Sequence, residues 1–416
     1  MESILSGRDI VVVGQQPWDT EIGSNCKNIA LEFARHNRVL YVNSPLDRNT
    51  LLKNRQDQKI KNRLQVVQGL KENIQSVGRN LWVLTPDKII ESINWLPASP
   101  FYTVLNKLNN KRFAGCIENG IEKLNFRDYI LFNDNDIFRS FYLKDLLRPE
   151  VSVYYSRDYM LAVDYWRKHG ERLEPQLIAK SDVCVANSSY LASYCRRYNP
   201  KSYCVGQGCE LDATFNTSAD RPTDLGTLQG PIIGYVGALV SLRLDLGLLL
   251  HLAEQRPDWN LVLVGPEDDA FKASRLHQLP NVHFLGPKAP EELPAYIQHF
   301  TVCLNPQLVN DMTIGNYPRK IDEYLALGKP VVATRTQTMD LFEQHTYLAE
   351  TKEDYVRLIE RSMQHDTPLR QQQRREFAAT HTWQNSVQQI YQAIAQSGCL
   401  TTPGPYPGLA HTAIAS

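Results

Sequence analysis

Apolar residues come in short β-branched runs, each closed by a polar or glycine residue and followed by a segment with helical spacing. Residues 9–45, "DIVVVGQQPWDTEIGSNCKNIALEFARHNRVLYVNSP", read as a strand ending at Gly14, a polar loop, a helix over Ile29–Asn37 and a second strand ending at Pro45. Residues 231–266, "PIIGYVGALVSLRLDLGLLLHLAEQRPDWNLVLVGP", repeat the plan, with a strand ending at Gly237, a helix over Leu246–Arg256 and a strand ending at Pro266. A strand, helix, strand unit of this length implies a parallel sheet with a right-handed crossover. Two such openings predict two α/β, doubly wound, Rossmann-like domains facing across a cleft.

Further runs extend both halves. "YILFND", "VSVYYSRD" and "SDVCVANSS" continue the first, and "NVHFLGP", "TVCLNP" and "KPVVAT" the second. Between them, "NTSADRPTDLGTLQGP" is polar and carries Pro and Gly, as a linker does. The expected organisation is a domain over 1–215, a linker at 216–230, a second domain over 231–380, an amphipathic helix at 381–396 and a disordered tail at 397–416.

The stretch "NYPRKIDEYLALGKPVVAT", residues 316–334, reads as a short helix running into a buried strand. Pro318 suits a first helical position, Gly328 and Pro330 supply the stop, and Ile321, Tyr324 and Leu325 form the buried stripe. Arg319 and Lys320 nevertheless sit at the positive end of the helix dipole, each at a cost of about 0.3–1 kcal/mol. Either the two side chains point into water, or an anion such as a phosphate meets them there.

Composition narrows the classes. A chain of 416 residues exceeds one ordinary core, and 43% apolar with 22% charged residues is ordinary for a globular protein. The 45 basic and 45 acidic side chains cancel, which argues against nucleic acid as a partner. The start shows no signal-peptide pattern, and "GALVSLRLDLGLLLHLA" is interrupted by Arg243 and Asp245 too soon to span a bilayer. The eight cysteines form no C-x-x-C pair and no zinc-spaced cluster, so they read as reduced cytosolic thiols. Residues 48–79 carry a net +6. That excess fits a solvated loop, an anionic acceptor, or peripheral association with an anionic membrane surface, here the inner face.

Ligands of open parallel sheets bind outside the carboxyl ends of the strands. Gly14, Gly23, Asp134, Asp136 and Asp158 are the candidates there in the first half, and Gly237, Gly265, Gly286 and the Pro318 helix in the second. No G-x-G-x-x-G or G-x-x-x-x-G-K-[ST] occurs, which disfavours nicotinamide enzymes and P-loop ATPases. Asp158 follows a strand and is either a helix cap or the leading candidate for a general base, with Asp134 and Asp136 behind it. Arg157 either attracts an anionic acceptor or pairs with a carboxylate. "DND" at 134–136 also spells the D-x-D by which metal-dependent GT-A transferases hold a nucleotide sugar through a divalent cation, a fold that the two-domain layout disfavours.

The second half resembles the nucleotide-sugar domain of group 1 glycosyltransferases with the GT-B fold. The resemblance is carried by "IGYVGALVS", "WNLVLVGP", "LPNVHFLGPKAPEELPAYIQHFTVCLNP", "PRKIDEYLALGKPVVAT" and "HTWQNSVQQIY", in order over residues 231–393. It implies a hexosyltransferase moving sugar from a nucleoside-diphosphate donor, a substrate rather than a cofactor, to a saccharide or lipid-linked acceptor in surface polysaccharide or glycolipid assembly. A nucleotide-sugar epimerase and an inactive sugar-nucleotide-binding protein are the alternatives on the same plan. On the matching positions, Gly237 lets backbone approach the diphosphate, Arg319 and Lys320 neutralise it and stabilise the leaving group, and Glu323 accepts from the ribose hydroxyls. Leu285 and Gly286 lie near the base. Arg243 adds charge to the diphosphate or pairs with Asp245. One position departs from the family pattern, because Gly315 stands where many members carry a second glutamate ahead of Glu323.

Overall fold

The computed structural model describes residues 5–20, 24–209, 220–226 and 228–400. Two compact units divide the chain, Met1–Gly206 with Ser386–Ser416, and Gln207–Asn385. Each is built around one sheet.

The first sheet contains β1 (Asp9–Val13), β2 (Arg38–Val42), β3 (Ile74–Gly78), β4 (Leu81–Leu84), β5 (Ile130–Asp134), β6 (Val151–Ser156), β7 (Val183–Ala186) and β8 (Ser202–Cys204), in the order β3-β4-β2-β1-β5-β6-β7-β8. Only the β3–β4 pairing is antiparallel among these strands. β1 and β5 through β7 are buried along their whole length, as the β-branched runs require of strands covered on both faces. The second sheet contains β9 (Ile232–Val236), β10 (Asn260–Val264), β11 (Val282–Gly286), β12 (Val302–Asn305), β13 (Val331–Thr334) and β14 (Tyr347–Ala349), all parallel, in the order β11-β10-β9-β12-β13-β14. Strand order reverses between β1 and β5 in one sheet and between β9 and β12 in the other, and crevices for ligands open at such points.

Several elements depart from the sequence reading. The first helix is Asn25–Phe33, not Ile29–Asn37, because Ser24 Oγ accepts from the Lys27 amide and starts it early. At its far end the Asn37 amide donates to the Phe33 carbonyl at 3.2 Å. The basic segment is not a loop: Asp47 and Asp57 cap the helices Arg48–Lys53 and Gln58–Val67, and β3 follows. Two of its cations find carboxylates outside the segment, Arg48 on Glu91 at 2.6 Å and Arg63 on Asp19 at 2.7 Å. Within the expected linker, Leu225 is fully buried in the core of the second unit, while most of the other described residues there are exposed. The last helix, Trp383–Gln396, begins in the second unit, and its later turns belong to the first. There Tyr391 stacks on Phe33 at 5.6 Å and accepts from Asn37 at 2.9 Å. Of the expected tail, residues 401–416 lie outside those described.

Candidate functional site

In the second unit, three glycines close the strands beside the point of reversal. Gly237 after β9 has φ +133° and Gly265 after β10 has φ +150°, regions closed to other residues. A Cβ on Gly265 would lie 2.0 Å from the Gly237 carbonyl oxygen, so the two turns touch backbone to backbone. Gly286, at φ +67°, has open space around it and is glycine for conformation alone. Leu285 beside it is half-buried and packs on the core of this unit.

The helix Arg319–Ala326 comes between β12 and β13, with Pro318 just ahead of its first turn. Its two cations part ways. Lys320 Nζ lies 3.2 Å from where a Gly237 Cβ would stand, so its ammonium faces that turn. Tyr235 of β9 holds it there, with Oη accepting at 2.6 Å and the ring centroid 4.2 Å away. Arg319 instead turns along the helix to Glu323, Nε to Oε1 at 3.2 Å, with 43% of its side chain exposed. Burial raises the Glu323 carboxyl above its ordinary value, and the Arg319 charge opposes the rise. The pair of cations anticipated at one anion is thus one lysine at the Gly237 turn and one arginine compensating a glutamate.

Arg243 is exposed and makes no ion pair among the described residues. Its anticipated partner Asp245 is occupied as the cap of the helix Leu246–Gln255, accepting from the Leu248 amide at 2.9 Å. The Arg243 carbonyl receives the Leu308 amide, which ties its loop to the segment just beyond β12. Sequence reasoning missed Tyr235, although its place two residues before Gly237 on β9 was visible. It also missed Asp322, which is fully buried, with Oδ1 2.5 Å from His381 Nδ1.

In the first unit, Arg157 occupies the point of reversal. Its guanidinium donates to Asp134 at 2.9 Å, Asp158 at 2.9 Å and Gln15 at 3.2 Å. Asp134 is fully buried, which raises its carboxyl while Arg157 pulls it back. Asp136 is committed elsewhere: it accepts from the amides of Phe138 and Arg139 and from Arg139 Nε at 2.7 Å. The two carboxylates of "DND" therefore take separate arginine partners, and the residue between them, Asn135, adopts φ +54°. Asn135 Oδ1 accepts the amides of Arg157 at 2.8 Å and Asp158 at 3.1 Å. Asp158 caps no helix; its side chain is 48% exposed and reaches solvent from Arg157. Behind Asn135, its amide donates to Tyr154 Oη at 3.0 Å, which donates to buried Glu174 at 2.7 Å. Gly14 has a packing role, since a Cβ there would meet the Tyr41 hydroxyl at 2.2 Å. Gly23 lies outside the described residues.

Residues 230–365 match the family described as glycosyl transferases group 1. This stretch is similar to the group 1 glycosyl transferases. A Bacillus subtilis (strain 168) protein provisionally named as a teichuronic acid biosynthesis glycosyltransferase is 28% identical over 245 residues, 55% of this chain and 61% of that one. The match thus spans less than two thirds of that relative's length. Among solved structures, Anabaena HepE in complex with UDP aligns with a TM-score of 0.62 at 15% identity, over 94% of this chain and 100% of that one. Sucrose-phosphate synthase from Thermosynechococcus elongatus aligns with a TM-score of 0.62 at 14% identity, over 94% and 98%. These likenesses are of fold, the GT-B plan of two Rossmann-like units.

Proposed function

We propose that this protein is a glycosyltransferase that moves a hexose from a nucleoside-diphosphate sugar to a saccharide or lipid-linked acceptor in surface polysaccharide assembly. The observation that carries the reading is the Lys320 ammonium held by Tyr235 against the Gly237 turn at the β9/β12 reversal. A diphosphate at that place would meet a fixed cation and a backbone with no side chain in the way. The naming of the Bacillus subtilis relative and the UDP complex of the Anabaena protein support the same class.

In the transfer, the bond from the sugar C1 to the diphosphate oxygen breaks while an acceptor oxygen bonds to C1. Lys320 stabilises the charge gained by the leaving nucleoside diphosphate. Glu323 receives the ribose hydroxyls, Leu285 and Gly286 border the base, and Arg243 adds a second positive charge. Asp158 takes the acceptor proton, held in place by Arg157 and by the Asn135 clamp on its amide. No cofactor is required. Exposed Lys53, Arg55 and Lys61 support peripheral contact with an anionic membrane, at its cytoplasmic face. Among the described residues no helix is long and apolar enough to cross a membrane.

The test is incubation of purified protein with a panel of nucleotide sugars, with and without acceptors, followed by product analysis. Glycosylated acceptor together with released nucleoside diphosphate is expected. A changed sugar nucleotide in the absence of acceptor would identify an epimerase, and binding without any turnover an inactive nucleotide-sugar receptor.

A further inference from the structure

Within the first unit, a groove of about 980 Å³ lies beside the segments that follow β2, β4, β5 and β6. That volume is at the upper end for small-molecule sites. Two aromatic side chains on its wall are bare, Trp95 at 73% and Tyr165 at 56% exposure. Exposed rings of this size are normally mobile or covered, yet these two are braced. Trp95 Nε1 donates to the Ser92 carbonyl at 2.9 Å. The segments that carry them are tied to each other, with Lys168 Nζ on the Trp95 carbonyl and the Asn94 side-chain amide on the Tyr165 carbonyl, both at 2.7 Å. Behind Tyr165, Trp166 meets it edge-on at 5.2 Å and stacks on Phe138 at 5.1 Å. Two rigid aromatic faces are thus presented with their ordering already accomplished by the fold.

The charges on the wall decide what these faces suit. Arg48, Arg139 and Lys168 are matched by Asp47, Glu91 and Asp164, and both arginines are already paired, Arg48 with Glu91 at 2.6 Å and Arg139 with Asp136 at 2.7 Å. A polyanion would find little uncompensated positive charge, and a fatty chain would desolvate three carboxylates. A sugar ring fits both features, because its C–H face stacks on an aromatic ring while its hydroxyls meet charged and amide groups at the edge.

We propose that this groove binds an uncharged run of two or three sugar rings stacked on Trp95 and Tyr165. On the glycosyl-transfer reading, on which this last identification rests, that run is the glycan part of the acceptor.

Saturation-transfer NMR with maltotriose, cellotriose and chitotriose, and with tri-galacturonic acid as an anionic counterpart, tests the assignment on the full chain. Binding of at least one neutral trimer through its ring C–H protons is expected. Trp95→Ala and Tyr165→Ala should each weaken it at least fivefold, with Trp95→Tyr restoring most of it and circular dichroism unchanged. Affinity for uridine diphosphate, measured by calorimetry, should stay the same in every variant. Failure of all neutral trimers to bind, binding that survives both alanine variants, or binding of the acidic trimer alone would overturn the proposal. Capture by phosphatidylcholine vesicles that the same substitutions abolish, without trisaccharide binding, would also overturn it and assign the rings to a bilayer. Trisaccharide binding at Trp95 in a protein with no affinity for any nucleoside diphosphate would support the groove and sink the donor reading instead.

Discussion

Lys320 and Tyr235, 85 residues apart in sequence, are joined by a 2.6 Å hydrogen bond, and the ammonium also stands 4.2 Å from the centroid of the same ring. The tyrosine sets the direction of a cation that the helix dipole disfavours. Removing that cation acts on stability in two opposing ways. Lys320→Gln relieves about 0.3–1 kcal/mol of unfavourable dipole interaction, and gives up a hydrogen bond and a cation–π contact worth about 1 kcal/mol. Denaturant melts should therefore move by less than about 1 kcal/mol. Turnover should fall by about 100-fold or more, since the lost charge matters most as the leaving group forms. An unaltered transfer rate would make Lys320 a bystander.

The neighbouring cation should behave differently. Arg319 is half-exposed and paired with Glu323, an arrangement worth about 0–1 kcal/mol. Arg319→Gln is expected to lower turnover by less than about tenfold. Glu323→Ala should weaken nucleoside diphosphate binding by about 1.5–3 kcal/mol, the value of charge-assisted hydrogen bonds to the ribose. Calorimetry on both variants separates the roles, and equal losses would mean that the two act as one unit.

The glycines offer a contrast within one site. Gly265→Ala places a Cβ 2.0 Å from the Gly237 carbonyl oxygen at φ +150°, so a loss of more than about 3 kcal/mol or failure to fold is expected. Gly286→Ala adds a methyl to open space at φ +67° and should cost about 1–2 kcal/mol. Thermal melts of the pair check the order.

Glu174 makes the stability of the first unit depend on pH. Burial raises its carboxyl to about 7, against the pull of the Tyr154 and Tyr194 hydroxyls. An unfolded glutamate titrates near about 4.3. Between these values the folded chain keeps a proton that the unfolded chain has released, so stability declines as pH rises through the window and levels off above about 7. The decline should be on the order of 3 kcal/mol. Glu174→Gln should remove it, leaving the variant more stable than the parent at pH 8. Parallel slopes in denaturant melts from pH 4.5 to 8 would show that Glu174 does not titrate there.

Chelation distinguishes the two ways of meeting the donor's charge. With Lys320 at the diphosphate, transfer should continue in EDTA. Abolition of activity that manganese restores would return Asp134 and Asp136 to consideration as metal ligands.

The strands at 232–236, 302–305 and 331–334 and the helix at 319–326 were legible because burial periodicity, caps and stops are local properties of a chain. For the same reason Lys320, Gly237 and Gly265 could be singled out beforehand. Partners could not. Arg319 and Lys320 look equivalent in sequence, and only their placement on successive positions of a helix, facing Glu323 in one case and β9 in the other, made one a counter-charge and the other a candidate ligand group. Asp136 satisfied a motif until its neighbours showed that Arg139 and a turn already claim it. The Trp95 and Tyr165 groove left no local signal at all, because its walls come from segments as far apart as residues 15 and 168. Sequence by itself determined where strands end, since that depends on neighbours along the chain. Which side chains meet at those ends was decided by strand order, which brings together residues that the chain keeps far apart.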